Sequence, residues 1–401
     1  MNVCFETFGC RLNRAEALEE EAKYIAAGWT ITEKHADADR IVVRGCSVTS
    51  RAQRECEHLI RHLERHYPNT RVIVQGCMKS KTEERFASVF QPGRTVQAKS
   101  KEDLAVPTRT ARAYLKIQDG CSGKCTFCIV PQFRGASKSV EFTTVLDKAK
   151  RFIDAGYHEI VVTGCNLSLY ASQGKRLPDL LAALAEIGHG RAIEETCRIR
   201  LGSIEPGPCA LDAADVMSCH DNICRFLHVT IQSGSNNVLR AMMRPYMRTD
   251  IERLLQKAVT AMPTLGLGCD IMTGFPGETE TDFLSTKTLL EQYPFSNCHV
   301  FPYSERPDTS AASYPSSVPT DVRSSRAHAL SNLMTEKRRT AARKFIGTEV
   351  EVLIEDEENQ AGWTSEYFWY KRSSDELIRQ KTSRKSIAKV RVADYHHGHL
   401  T

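Results

Sequence analysis

The chain has 401 residues, more than one hydrophobic core usually organises, so two or three domains are expected. Hydrophobic residues at 41% and charged residues at 26% exclude a disordered chain, a collagen-like repeat and a disulfide mini-scaffold. A formal net charge of +5 permits a nucleic-acid partner without demanding one.

The opening segment MNVCFETFGCRLNRAEALEEE lacks a basic stretch followed by an apolar one, so it does not read as a signal peptide. No run reaches the roughly 18 apolar residues of a membrane span, and the expectation is a cytoplasmic protein with no membrane partner. In that setting the 15 cysteines read as reduced thiols and metal ligands rather than disulfides. Three short β-rich runs, Val3–Phe8, Arg40–Arg44 and Arg71–Gln75, each deliver the chain to a Gly-Cys pair: Gly9-Cys10, Gly45-Cys46 and Gly76-Cys77. Between the first two lies a helical stretch with Asn13 and Glu16 at capping-box spacing and Leu18, Ala22 and Ile25 on one face. Strand, helix, strand implies a parallel sheet, and ligand sites in such sheets form beyond the carboxyl ends of the strands. The three Gly-Cys turns are therefore expected to converge. The expected N-terminal domain is an open parallel α/β unit over residues 1–104.

Gln91–Arg94, the polar run Lys99–Asp103 and Pro107 read as connecting material. Beyond it six buried strands are expected: Tyr114–Gln118, Glu159–Thr163, Arg198–Ser203, Phe226–Ile231, Leu267–Met272 and Cys298–Phe301. Helices separate them, one opened by a Thr249/Glu252 capping box. Six βα units over residues 105–341 suggest a partial (β/α)6 barrel with its active site at the strand carboxyl ends. Immediately after the first of these strands stands Cys121-Ser-Gly-Lys-Cys125-Thr-Phe-Cys128. Three thiolates on one tight loop suit three irons of a [4Fe–4S] cluster and leave the fourth open, where S-adenosylmethionine can chelate. Zinc hooks come in pairs with four ligands, and no fourth Cys or His follows at hook spacing. Thr163–Asn166, Ser203–Pro206, Gln232–Ser235 and Asp270–Gly277 end later strands with polar groups.

The last region, 342–401, reads as a small, shortened β-barrel with strands Glu349–Ile354 and Ser365–Tyr370 around an acidic turn. Its tail from Lys371 to Arg391 holds eight Lys or Arg against two acids, among them Lys381, Arg384, Lys385 and Arg391. Trp363, Tyr367 and Trp369 read as core residues in preference to base-stacking ones. His396-His397-Gly398-His399 reads as a frayed tail. Cys4, Cys56, Cys165, Cys197, Cys209, Cys219, Cys224, Cys269 and Cys298 match no ligand position and read as buried or incidental thiols.

The Cys121–Cys128 loop and the strand-end motifs after it resemble the radical S-adenosylmethionine superfamily. Phe8–Asn13, Gly45–Thr49 and Gly76–Met78 resemble the amino-terminal domain of the methylthiotransferases. That resemblance implies two [4Fe–4S] clusters, one on Cys121, Cys125 and Cys128 and an auxiliary one on Cys10, Cys46 and Cys77. It further implies S-adenosylmethionine contacts near Asn166, Ser203, Glu205 and Gln232, and an electron donor such as a flavodoxin or ferredoxin. The radical would remove hydrogen from adenine C2, the auxiliary cluster would supply sulfur, and a second S-adenosylmethionine the methyl group. Lys116–Cys121 and Arg200–Pro206 are most similar to the branch acting on N6-threonylcarbamoyladenosine beside the anticodon of transfer RNA. Isopentenyladenosine and a ribosomal-protein aspartate are the alternative targets. The C-terminal region resembles the RNA-binding TRAM module. Two departures stand out: Arg44-Gly45 replaces the usual Asn-Thr, setting positive charge near the auxiliary cluster, and Cys165 replaces the common Val.

Overall fold

The computed structural model describes residues 1–48, 50–78, 110–190, 195–372, 383 and 386–401. The connecting segment, the 104/105 junction, Thr49, Lys381, Arg384 and Lys385 lie outside the described residues.

In the N-terminal part β1 (Asn2–Thr7), β2 (Thr30–Ile31), β3 (Arg40–Cys46) and β4 (Arg71–Cys77) form an all-parallel sheet in the order β2-β1-β3-β4. The period of two in side-chain direction sorts its residues between two faces. Cys4, Ile41, Val43, Val72 and Val74 pack with Cys56, Ile60 and Leu63 of α2 (Ser50–His66). Val3, Phe5 and Val42 pack on Tyr24 of α1 (Arg11–Ala26). The outer side of α1, with Ala15 and Leu18, rests on Tyr114 and Val161 of the central domain. The helix is thus covered on two sides, which corrects the expected single apolar face: Ile25 is 36% exposed. The expected capping box is absent too. Cys10 occupies the cap position, and the buried Asn13 donates instead to the carbonyls of Phe8 at 2.8 Å and Gly45 at 3.0 Å. A tertiary demand has taken the side chain from its local role.

The central strands are β5 (Ala113–Lys116), β6 (Glu159–Thr163), β7 (Arg198–Leu201), β8 (Phe226–Gln232), β9 (Gly266–Thr273) and β10 (Phe295–Pro302). The sets β5-β6-β7 and β8-β9-β10 are both parallel. The parallel bridges Ile199–Ile223 and Ile204–Val229 join them, giving six strands in chain order. Leu115, Val162, Leu201, Val229, Leu267 and Ile271 face a large apolar core with residues of the surrounding helices α3 (Phe142–Asp154), α4 (Leu177–Gly188), α5 (Pro208–Cys219), α6 (Arg248–Ala261) and α7 (Glu280–Gln292). The alternate residues point away from those helices, Tyr114 and Val161 toward α1 and Arg198 and Arg200 toward the C-terminal region. α6 is not opened by Thr249 and Glu252: its N-terminus lies at Met247, whose N–H is accepted by Asp250 at 2.8 Å, and Glu252 pairs with Arg248.

The long helix α8 (Thr320–Arg343) leads into β11 (Glu349–Asp356), β12 (Ala361–Thr364), β13 (Trp369–Lys371), β14 (Ile387–Arg391), β15 (Tyr395–His396) and β16 (His399–Leu400). They form one sheet in the order β14-β11-β12-β13-β16-β15 over a core of Val350, Val352, Ile354, Phe368, Tyr370 and Leu400. Two expectations are corrected. Ser365–Phe368 is a turn, with Tyr367 at φ +70°, and β13 starts only at Trp369. The histidine-rich end is a hairpin, turned at His397 and Gly398 and anchored by the fully buried Leu400 beside Tyr370, because the last strand has a partner to join.

This C-terminal sheet sits against the amino ends of the central strands. Glu159, Arg198 and Arg200 are buried there, with Arg198 Nε 2.6 Å and Arg200 Nε 2.7 Å from the Glu159 carboxylate. The guanidinium groups continue into the C-terminal backbone: Arg198 donates to the carbonyls of Glu351 and Trp363, and Arg200 to those of Thr364 and Ser365. Tyr367 enters from the same side, stacked between Phe226 at 4.6 Å and Trp363 at 4.4 Å. Its hydroxyl accepts from Arg11 of the N-terminal part at 3.2 Å. Trp363, Tyr367 and Trp369 are half-buried packing residues.

Candidate active site

At the carboxyl ends of β3 and β4 the parallel register sets Gly45 beside Gly76 and Cys46 beside Cys77. Gly9, at φ +90°, brings the first turn so close that a Cβ there would lie 2.8 Å from Cys46 Cβ and 3.0 Å from its Sγ. Asn13 ties the same turn to Gly45. The three Gly-Cys turns therefore converge, with Cys10 exposed and Cys46 and Cys77 buried. Gly45 is fitted to this chain: a Cβ there would collide with the Met78 side chain and approach Cys56 Sγ to 2.9 Å.

The second triad stands at the carboxyl end of β5. Cys121 accepts from the Gly123 N–H at 3.3 Å, and a Cβ on Gly123 would lie 3.2 Å from Cys121 Sγ and 3.9 Å from Cys125 Sγ. Arg244 donates to Cys125 Sγ at 2.9 Å and to Glu205 at 2.5 Å. Asn166 donates to the other Glu205 oxygen at 2.8 Å, and its backbone N–H is held by Gln118. Asn166, Glu205 and the triad are thus one cluster. Ser203 is exposed beyond β7 and stands outside these contacts. Gln232 ends β8 in the left-handed region at φ +67°, with Oε1 buried and without a hydrogen-bond partner. An orphaned acceptor on a strained residue at a strand's carboxyl end is what a bound donor would satisfy. The rest of that turn serves packing: Gly234 N–H and Ser235 bind Thr286 and Asp282 of α7.

Arg134, in the short helix Val130–Arg134 after the second triad, connects the two sites. Its Nε donates to Cys77 Sγ at 3.0 Å, and its other nitrogens reach Asn13, Glu16 and Asp119 at 2.9 Å each. Lys116 joins Glu16 and Asp119, both at 2.6 Å. Burial works to raise both carboxyls, but hydrogen bonds from Arg134 and Lys116 outweigh it, lowering Glu16 and holding Asp119 at about 2. The charge expected from Arg44 is accounted for differently. Arg44 pairs with Glu16 at 2.8 Å and Glu20 at 3.2 Å, and Arg134 is the cation that contacts a sulfur of the N-terminal triad.

Both triads offer thiols alone, with glycines clearing the space beside the sulfurs, and this donor set fits an iron–sulfur cluster. Burial pushes the Cys46, Cys77 and Cys125 thiols up and Cys128 to about 11. Such thiols keep their protons near neutrality until a metal ion displaces them. Cys165 lies 3.6 Å from Asp119 and is likewise pushed up to about 12 by burial.

The model for the Radical SAM superfamily matches residues 115–290, and that for the Uncharacterized protein family UPF0004 matches residues 2–96. The Threonylcarbamoyladenosine tRNA methylthiotransferase MtaB of Bacillus subtilis is 32% identical, over 91% of this chain and 89% of the relative. The chain belongs to the radical SAM methylthiotransferase family. A tRNA-2-methylthio-N(6)-dimethylallyladenosine synthase of Akkermansia muciniphila is 30% identical over 87% of both chains. In fold, the chain is similar to the radical S-adenosylmethionine methyltransferase TsrM from Kitasatospora setae, with a TM-score of 0.54 at 13% identity over 78% of this chain and 77% of that one. The family is one of enzymes that use [4Fe–4S] clusters and S-adenosylmethionine. Among the described residues no helix of this methylthiotransferase is long and apolar enough to cross a membrane.

Sequence reasoning missed Arg244, Gln118 and the linking role of Arg134. Arg134 stands in the run Pro131–Gly135 just after the Cys121–Cys128 loop, and that adjacency was the available signal. Arg244 had none, because its partners Cys125 and Glu205 lie 119 and 39 positions earlier in the chain.

Proposed function

We propose that the chain methylthiolates C2 of N6-threonylcarbamoyladenosine on the 3′ side of the anticodon in transfer RNA. In this reading 1–104 is the methylthiotransferase domain, 105–341 the radical core and 342–401 the shortened TRAM-like domain. Cys121, Cys125 and Cys128 hold one cluster and Cys10, Cys46 and Cys77 the other, and a flavodoxin or ferredoxin is the electron donor. When bound, the clusters and two S-adenosylmethionine molecules supply the radical, sulfur and methyl chemistry. The chain's own part is positional. Arg134 ties Cys77 of one triad to Asp119, two residues before the other, and this link chiefly supports the reading. Asn166, Glu205, Ser203 and Gln232 offer polar groups at the strand ends to the S-adenosylmethionine that binds there, Glu205 being oriented by Arg244.

Relatives named for threonylcarbamoyladenosine and for dimethylallyladenosine both align along most of the chain. Five relatives named for threonylcarbamoyladenosine align over 86–91% of this chain, which supports the first. Mass spectrometry of transfer-RNA nucleosides from cells with and without the gene tests this directly. Loss of 2-methylthio-N6-threonylcarbamoyladenosine is expected, and an unchanged nucleoside profile would refute the assignment.

Arg134→Lys keeps the charge but not the fork that reaches a sulfur and three polar partners. Its expected signature is a changed electron paramagnetic resonance spectrum of the cluster on Cys10, Cys46 and Cys77. Product formation should fall by roughly 10–100-fold, the scale of losing an outer-sphere partner, while S-adenosylmethionine cleavage persists. An unaltered spectrum would reduce Arg134 to a packing residue.

A further inference from the structure

Below the strand-end site, three side chains from three adjacent strands meet in the lumen: His228 of β8, Asp270 of β9 and His299 of β10. Their direction follows from the sheet. Leu227, Val229, Leu267, Cys269, Ile271, Cys298 and Val300 face the helices, so the intervening residues face inward. His228 Nε2 and His299 Nδ1 each lie 3.1 Å from the same carboxylate oxygen, Asp270 Oδ1, and the three atoms all fall within 4.8 Å of one another.

A hydrogen-bonded row explains only part of this. His299 makes a hydrogen bond to Asp270, but the buried His228 Nε2 makes none despite its 3.1 Å separation, because the oxygen lies off the axis of the ring nitrogen. An ion coordinated by two ligands lies on each lone-pair axis, and the neighbouring ligand atom is then necessarily off it. With metal–ligand distances of about 2.0–2.2 Å, tetrahedral or octahedral angles put ligand atoms roughly 3.0–3.5 Å apart, and both observed edges agree. The backbone makes room for the inner ring. A Cβ on Gly268 would lie 2.6 Å from His228 Nδ1, so the glycine in β9 is what lets that imidazole lie flat against the strand.

We propose that His228, Asp270 and His299 bind one divalent first-row transition-metal ion. Two imidazoles and a carboxylate suit zinc or ferrous iron, and three protein ligands leave a position open to the lumen. The site is reachable from solvent, since the His299 side chain is 66% exposed whereas that of His228 is 4% exposed. It shares no ligand with either cysteine triad and does not depend on which nucleoside is modified.

The test uses the holoprotein with both clusters reconstituted, so that the triads are filled, titrated anaerobically with Co2+. One equivalent should bind with d–d absorption and no thiolate-to-cobalt charge-transfer band. In His299→Gln, a change at an exposed side chain, the affinity should fall by more than the roughly 10–100-fold typical of an outer-sphere partner. Asp270→Asn should do the same, and a circular dichroism melt like that of the parent verifies the fold of each. No uptake, uptake equal in parent and His299→Gln, or a thiolate charge-transfer band would each overturn the proposal.

Discussion

Replacing Cys77 by Ala should leave a protein that still cleaves S-adenosylmethionine to 5′-deoxyadenosine but makes no methylthiolated nucleoside. The reason is the separation of the two triads. Cys121, Cys125 and Cys128 lie on one loop after β5, whereas Cys77 ends β4 in a different sheet and accepts a hydrogen bond from Arg134, in the short helix that follows that loop. The substitution removes a thiol from the N-terminal set and a sulfur acceptor from Arg134, but Arg134 keeps Glu16 and Asp119. Cys125→Ala makes the opposite cut, and with it both cleavage and product should fall to background. Anaerobic single-turnover assays reading 5′-deoxyadenosine and the modified nucleoside side by side check the pair. Full product from Cys77→Ala would exclude a sulfur-delivering role for the N-terminal triad.

The second large effect lies far from the chemistry. Glu159→Gln should destabilise the protein by about 3–5 kcal/mol, the usual cost of breaking a buried ion pair from one side. Arg198 and Arg200 would be left buried with carbonyl acceptors but without the carboxylate that both of them touch. Urea denaturation of parent and variant reads the difference. The pH dependence gives an independent check. Burial raises the Glu159 carboxyl, yet Arg200 and Arg198 hold it well below its ordinary value of 4.5. A depressed carboxyl contributes stability that is fully present above its unfolded value and is lost only as pH falls through the folded one. The gap between parent and variant should therefore be flat from about pH 6 to 8 and close only in acid. A gap below about 1 kcal/mol at neutrality would mean that the cluster is as weak as a surface pair.

Much of the fold was legible because its strands are buried on both faces and read as unbroken β-rich runs. Glu159–Thr163 is a strand with the expected limits, and the other five central strands differ from expectation only at their ends. The cysteine loop was legible because its spacing is local. The Gly-Cys turns were legible because each follows such a run, although their convergence depended on a register that only the sheet supplies. What could not be read were side chains whose partners are distant. Asn13 and Thr249 looked like caps, but Asn13 was claimed by the carbonyl of Gly45 and Thr249 gave way to Asp250. Arg200 stood in a stretch that resembles one branch of the family, and its structural task is to seat another domain. His228, Asp270 and His299 are scattered over seventy positions, and only strand order brings them together.

The seat of the C-terminal domain has a consequence for how this region can vary. Arg198 and Arg200 grip it through the main-chain carbonyls of Glu351, Trp363, Thr364 and Ser365. A carbonyl is the same whatever side chain accompanies it. The grip of the two arginines therefore does not read the side chains at those positions, provided the turn keeps its shape and Tyr367 its unusual backbone angle, whereas the stack of Trp363 on Tyr367 does. The outward surface can diversify while the socket beneath it stays fixed.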